Sequence, residues 1–404
     1  MSKRERRFVC AIAATLLYMA PSRAADVHVV KSGADEIPMD ISGIAISGEK
    51  FATVFLETLR NDLVRSGWFR IVAGSGSAIV AVGRCNEISD RLSVKCRLTN
   101  TGSGKTYFNV SYNEPAHEAR FVAHKLADKI VESVKSVRGI AATRIAMVGM
   151  RDGQRDLYVC SADGHGIIRI TKDGVPCLSP KWGFGGDVLL YTSFANGFPD
   201  MYEIDMRTNM RRSISARPGI NMGGDMSFDG RMVALILSKD GNPELYVMQR
   251  TNGRLTRLTR TQHAAEAEPS WSPDGKSIVF VSDSAGSPQL YIVKSNGGRP
   301  ERPTFRGSEN VSPDWGLDGR IAYSSRRGGR YHICVLDPLS GEQTQITRDD
   351  ADYESPSWAP DSRHIVCSRT CSYHSELYIL DTMRHTSVKL FSLEGECHSP
   401  SWSP

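Results

Sequence analysis

From residue 143 onward, apolar and polar residues alternate in short runs broken by Gly, Pro, Asp and Ser. The stretch "EPSWSPDGKSIVF", residues 268–280, shows the unit. Pro273 presets φ for the second position of a turn, and Asp274-Gly275 tolerate the tight conformations that follow. Ser277 to Val281 then reads as a β-rich run. The pattern predicts a short strand ending at Trp271, a turn, and a second strand. A third strand, "PQLYIVKS", and a ragged outer one, "RPERPT", complete the unit, separated by turn-rich breaks.

The unit repeats. Trp182, Phe228, Trp271, Trp315, Trp358 and Trp402 occupy the same place in successive copies, at intervals of 46, 43, 44, 43 and 44 residues. A period in the forties with four strands per unit predicts a β-propeller. Residues 143–171 supply three strands without an aromatic inner one, and "SPSWSP" at the C-terminus supplies an inner strand with nothing after it. Each fragment completes the other, so the prediction is six blades closed by the C-terminal strand, which leaves no open sheet edge.

Ahead of the propeller the period changes. "GEKFATVFLETLRNDLVRSGWF" places Phe51, Val54, Phe55, Leu59 and Leu63 near one helical face. "EPAHEARFVAHKLADKIVESVKS" does the same with Phe121, Val122, Leu126, Ile130 and Val134. Between them "SAIVAVGRC", "RLSVKCRLTN" and "KTYFNVSY" read as a three-strand meander. Two helices on a small sheet make an α+β domain over residues 25–138, followed by the propeller over 139–404. The first 24 residues read as a cleaved signal peptide: a basic start, "FVCAIAATLLYMA" too short to span a bilayer, and small residues before a cut after Ala24. No later run is long and apolar enough for a transmembrane helix.

Composition adds one exclusion. The formal charge of +5 belongs mostly to the signal; without it 45 basic face 44 acidic side chains, a balance of +1. Such a chain has little general attraction for nucleic acid or a membrane surface. Eight cysteines follow the signal, without Cys-x-x-Cys or zinc-ligand spacing. Cys85 and Cys96 flank a predicted hairpin centred near Asp90, which makes them the candidate disulfide.

The catalytic motifs are missing. "GSGKT", residues 102–106, lacks the leading glycine of a phosphate loop and precedes a strand, so it reads as a hairpin turn. No serine has glycine two residues before and two after, as a nucleophile elbow requires, and no His-Glu-x-x-His occurs. The Asp-Gly turns offer one carboxylate each, which does not make a calcium cage.

Signal, α+β domain, "EPSWSPDGKSIVFVSDSAGSPQLYIVKSNGG" repeats, the junction "HKLADKIVESV…RGIAATRIAMVG" and the closing "SPSWSP" together resemble the TolB family of the Tol-Pal system. The resemblance implies a monomeric periplasmic scaffold without cofactor or catalysis, which supports outer-membrane integrity and envelope constriction during cell division. It implies a Pal-like lipoprotein at the propeller mouth, where His263, Ala264, Thr304 and Arg306 match the family's contact loops. It also implies a TolA-like inner-membrane partner for the mature N-terminus, Ala25, Asp26, Val27, His28, Val29, Val30 and Lys31, an extended segment able to add to a sheet edge. The competing class, an exported propeller-type hydrolase or ligand-binding protein, shares the propeller but requires a site that the motifs do not supply.

Overall fold

The computed structural model describes residues 36–404, apart from 49, 75, 152 and 392–394. The expected signal peptide, residues 1–24, and residues 25–31 lie outside the described residues. The first domain is a five-stranded sheet carrying two helices. Its strands are β1 (Ile37–Ser47), β2 (Phe69–Ile71), β3 (Ile79–Ile88), β4 (Arg91–Asn100) and β5 (Thr106–Pro115), in the order β2-β1-β3-β4-β5. The meander β3-β4-β5 is the one the alternation predicts. Unforeseen is β1, which inserts beside β3 and runs parallel to both β2 and β3. Parallel neighbours need a crossover, and helix α1 (Phe51–Arg65) supplies it.

Lys50 offers α1 no side-chain cap. Glu87 of β3 takes that role, accepting from the N–H groups of Phe51 (2.8 Å) and Ala52 (3.2 Å) that the helix leaves unpaired. Helix α2 (Ala119–Lys135) ends on Ser136 in the left-handed region, with φ 57°. Phe55, Leu59 and Leu63 of α1 meet Val122, Leu126 and Ile130 of α2 and the inner residues of the sheet in one core. Phe121, predicted on the same stripe, points outward, and Lys125 sits 4.2 Å from its ring centre.

The candidate disulfide is not formed. Cys85 pairs across the hairpin with Val94, and Cys96 with Gly83. The turn sits between Ile88 and Arg91, so the two cysteines are two residues out of register. Both are free, buried thiols in the core, and burial pushes each up to about 12. They fill space there as small apolar groups.

Six blades follow, five of them four-stranded, among these the composite sheet in which Glu396–Trp402 pairs with Arg144–Arg151. The third blade has three strands plus a single bridge between Ile292 and Glu301, the ragged outer edge expected of "RPERPT". Every inner strand carries a bulge three residues before its last. Ser179, Glu268, Ser312, Ser355 and Ser399 sit there with φ of 50–52°, and Gly223 with φ 63°. Such bulges steepen the local twist and turn side chains toward the axis.

One register assignment is corrected. In the second blade, Met226 and not Phe228 takes the tryptophan position: it pairs with Val233 as Trp271 pairs with Ile278. Phe228 lies two residues on, in the turn, where its ring meets Phe184 edge-on at 6.3 Å. Sequence matching by aromaticity selects the wrong residue because a methionine fills the wedge.

Candidate functional site

The residue preceding each wedge explains why Ser-Trp and Asp-Trp recur. Its side chain accepts a hydrogen bond from the backbone N–H of the next blade's tryptophan. Ser401 accepts from Trp182 (3.1 Å), Asp225 from Trp271 (2.7 Å), Ser270 from Trp315 (3.1 Å), Asp314 from Trp358 (2.7 Å) and Ser357 from Trp402 (3.0 Å). The sixth place is Lys181, an ammonium that cannot accept. It crosses the axis instead and pairs with Asp314 at 2.5 Å, three blades away. Five clasps and one cross-channel ion pair thus hold the ring.

The channel itself is acidic. Asp225, Glu268 and Asp314 act on Lys181, and Glu354 lies near Glu268. Burial pushes Asp225 up to about 6, although Lys181 and the Trp271 N–H oppose the shift. Burial and the neighbouring Asp352 and Glu268 push Glu354 up to about 7. Burial, reinforced by Arg155, takes His398 down to about 4. Lys181 is disfavoured by burial, but Asp314 and Asp225 outweigh this and hold it above its ordinary range. Close carboxylates in an enclosed space share few charges between them.

At one end of this channel lie the loops that lead from an outer strand into the next inner one. They carry the four predicted mouth residues, which divide two and two. His263 and Arg306 are exposed. Ala264 and Thr304 are buried, and Ala264 accepts from Thr261 through its carbonyl at 3.1 Å. Thr304 accepts the Leu290 N–H at 3.3 Å through Oγ1. Thr171, Thr259 and Thr347 make the same bond in other blades, so Thr304 belongs to the repeat. A large apolar side chain also reaches solvent here: Phe305, 75% exposed, with Arg302 5.4 Å from its ring centre. Sequence reasoning passed over it because exposure of one phenylalanine has no local signature.

The opposite end carries the tight turns after each wedge. There Phe184, Phe228, Leu317, Pro360 and Pro404 ring a funnel floored by Lys181, Asp225 and Asp314. The N-terminal domain packs beside it through a polar network. His124 of α2 bonds Asp62 of α1 through Nδ1 at 2.6 Å, and its Nε2 faces Asp163 of the propeller at 3.5 Å. Arg120 also pairs with Asp163. Burial raises Asp62, against the pull of His124. For Asp163 burial is outweighed by the His165 N–H, His124 and Arg120, which hold it below the usual range. Asp62, His124 and Asp163 are ion-ligating types within reach of one another. In this structure Asp62 is hydrogen-bonded to His124, and Asp163 is paired with Arg120.

Trp68, the one tryptophan outside the repeat, completes that contact. Its ring has Arg363 of the propeller 4.3 Å from its centre and Lys135 of α2 4.4 Å from it. Arg363 is in turn held by Asp381 through Nε (3.0 Å) and Nη2 (2.6 Å), and Arg384 reaches Glu36 at 2.7 Å. The bidentate pair with Asp381 fixes the guanidinium that lies over Trp68 across the contact.

The family model described as the TolB beta propeller domain matches residues 131–404. A Tol-Pal system protein TolB from Bordetella pertussis is 31% identical over 97% of this chain and 94% of its own length. Its counterpart from Bordetella avium is 32% identical, over 97% and 93%. The crystal structure of TolB from Acinetobacter baumannii superposes with a TM-score of 0.81 at 25% identity, covering 94% of this chain and 99% of that one.

Proposed function

For this chain, which belongs to the TolB family, we propose the role of a periplasmic scaffold that joins a Pal-like lipoprotein to a TolA-like inner-membrane protein. The observation that carries the reading is the mouth. Phe305 stands exposed between buried Thr304 and exposed Arg306, with exposed His263 on the adjoining loop. An aromatic anchor beside a cation, on loops held by a rigid ring, is the composition of a protein-binding hot spot. The second contact is assigned to residues 25–31, ahead of β1. The scaffold acts by binding alone, supporting outer-membrane integrity and constriction at division, and carries no catalytic step.

Calorimetric titration of each partner tests the assignment. Phe305→Ala with Arg306→Glu is expected to weaken the lipoprotein complex by at least tenfold and to leave TolA-like binding intact. Deletion of residues 25–33 is expected to do the reverse. If the deletion binds the TolA-like partner as tightly as the intact chain, the division of labour is wrong.

A further inference from the structure

The solvent face of the N-terminal sheet is strongly and one-sidedly charged. Along β4 the inward residues Leu92, Val94, Cys96 and Leu98 are buried, which turns Arg91, Lys95 and Arg97 outward. On β3 the same alternation exposes Val82, Arg84 and Ile88, and on β2 it exposes Arg70. Arg84 lies directly opposite Lys95 in the ladder, and Val82 opposite Arg97. Like charges facing each other across a ladder destabilise a sheet. None of these five cations makes an ion pair with a described residue, although Arg91 donates to the Asn113 carbonyl at 2.5 Å. The acid on the same face, Asp40 beside Val80, is committed to the N–H groups of Ser42 (2.7 Å) and Gly74 (2.9 Å).

The residues that meet the propeller (Glu36, Gly67, Trp68, Arg120 and His124) lie on α2, ahead of β1 and in the loop before β2, so none of these contacts uses the charged face. Nor does the patch follow from composition, since the chain after its leader is nearly neutral. The cations spread over three strand spacings, roughly 14 Å, and along β4 over roughly 20 Å. We propose that this face docks on an anionic lipid surface, its cations against the headgroup phosphates and Val82 and Ile88 at the interface. A flat array of long cationic side chains fits a flat, delocalised charge. An acidic peptide strand would instead seek a sheet edge. The long one is β5, whose outward residues Asn109, Ser111 and Asn113 are uncharged and exposed; the other, β2, is only three residues long. The surface is separate from the mouth, and the proposal stands apart from the lipoprotein reading.

Vesicle co-sedimentation of the full chain lacking its leader tests it, with phosphatidylglycerol-containing vesicles against pure phosphatidylcholine. Binding is expected to the anionic vesicles alone and to fade between low salt and 0.3 M salt. Arg84→Glu, Lys95→Glu and Arg97→Glu together are expected to lower it on the order of a hundredfold. All three positions are exposed, and an unchanged thermal transition checks the fold. A control with the same charge change on exposed propeller turns, Arg231→Glu, Arg254→Glu and Lys276→Glu, is expected to bind as the parent does. The proposal fails if the parent ignores anionic vesicles or if the control loses as much as the sheet variant. It fails equally if the sheet variant loses affinity for polyglutamate but not for vesicles.

Discussion

Glu266 opens the third inner strand, is 2% exposed, and has no hydrogen-bond partner for Oε2. Burial, with Glu244 and Asp283 nearby, pushes it from 4.5 up to about 8, and only Ser282 opposes the shift. Between those two values the folded protein keeps a proton that the unfolded chain has lost. Stability therefore falls as pH rises, by about 1.4 kcal/mol per pH unit for one group. The contribution is whole below pH 4.5 and is lost as pH climbs through about 8. From pH 5 to pH 8 the loss amounts to about 4 kcal/mol, a large share of ordinary domain stability. Glu266→Gln cannot ionise, so its stability should fall less steeply over that range. The amide brings an unpaired donor that costs about 1–3 kcal/mol, but it does so at every pH. Slope is therefore the quantity to measure. Urea melts followed by tryptophan fluorescence at pH 5, 6.5 and 8 supply it. Parallel parent and variant curves would show that Glu266 keeps its proton in both states or in neither.

Two further outcomes follow from the packing. Trp402→Ala removes a wedge that is 4% exposed and the bond from its Nε1 to Thr143 at 2.7 Å, so it should cost about 3–5 kcal/mol; an unchanged urea midpoint would mean that the C-terminal strand does not close the ring. Adding dithiothreitol should leave the melting temperature where it is, because Cys85 and Cys96 are free core thiols; a drop of several degrees would restore the disulfide.

What the sequence determined by itself is whatever repeats or stays local. The turn after each wedge, the 44-residue spacing and the two amphipathic helices need only neighbours in the chain, and the split sixth blade follows by counting. Ring closure is legible for the same reason, since "SPSWSP" repeats a unit seen five times before. Tertiary structure decided what depends on register and on distant partners. A methionine could take a tryptophan's place because the wedge position is set by ladder pairing, and Met226 matches it where Phe228 does not. The Cys85–Cys96 disulfide failed by two residues of hairpin register, which no spacing rule resolves. β1 joins the sheet only through parallel pairing across a helix. Thr304 and Phe305 are adjacent, yet one is sealed by Leu290 and the other stands in solvent. Lys181 finds Asp314 across the axis, 133 residues away, because six blades bring both to one channel. Strand propensity is a property of a segment, whereas burial and charge pairing belong to the closed ring.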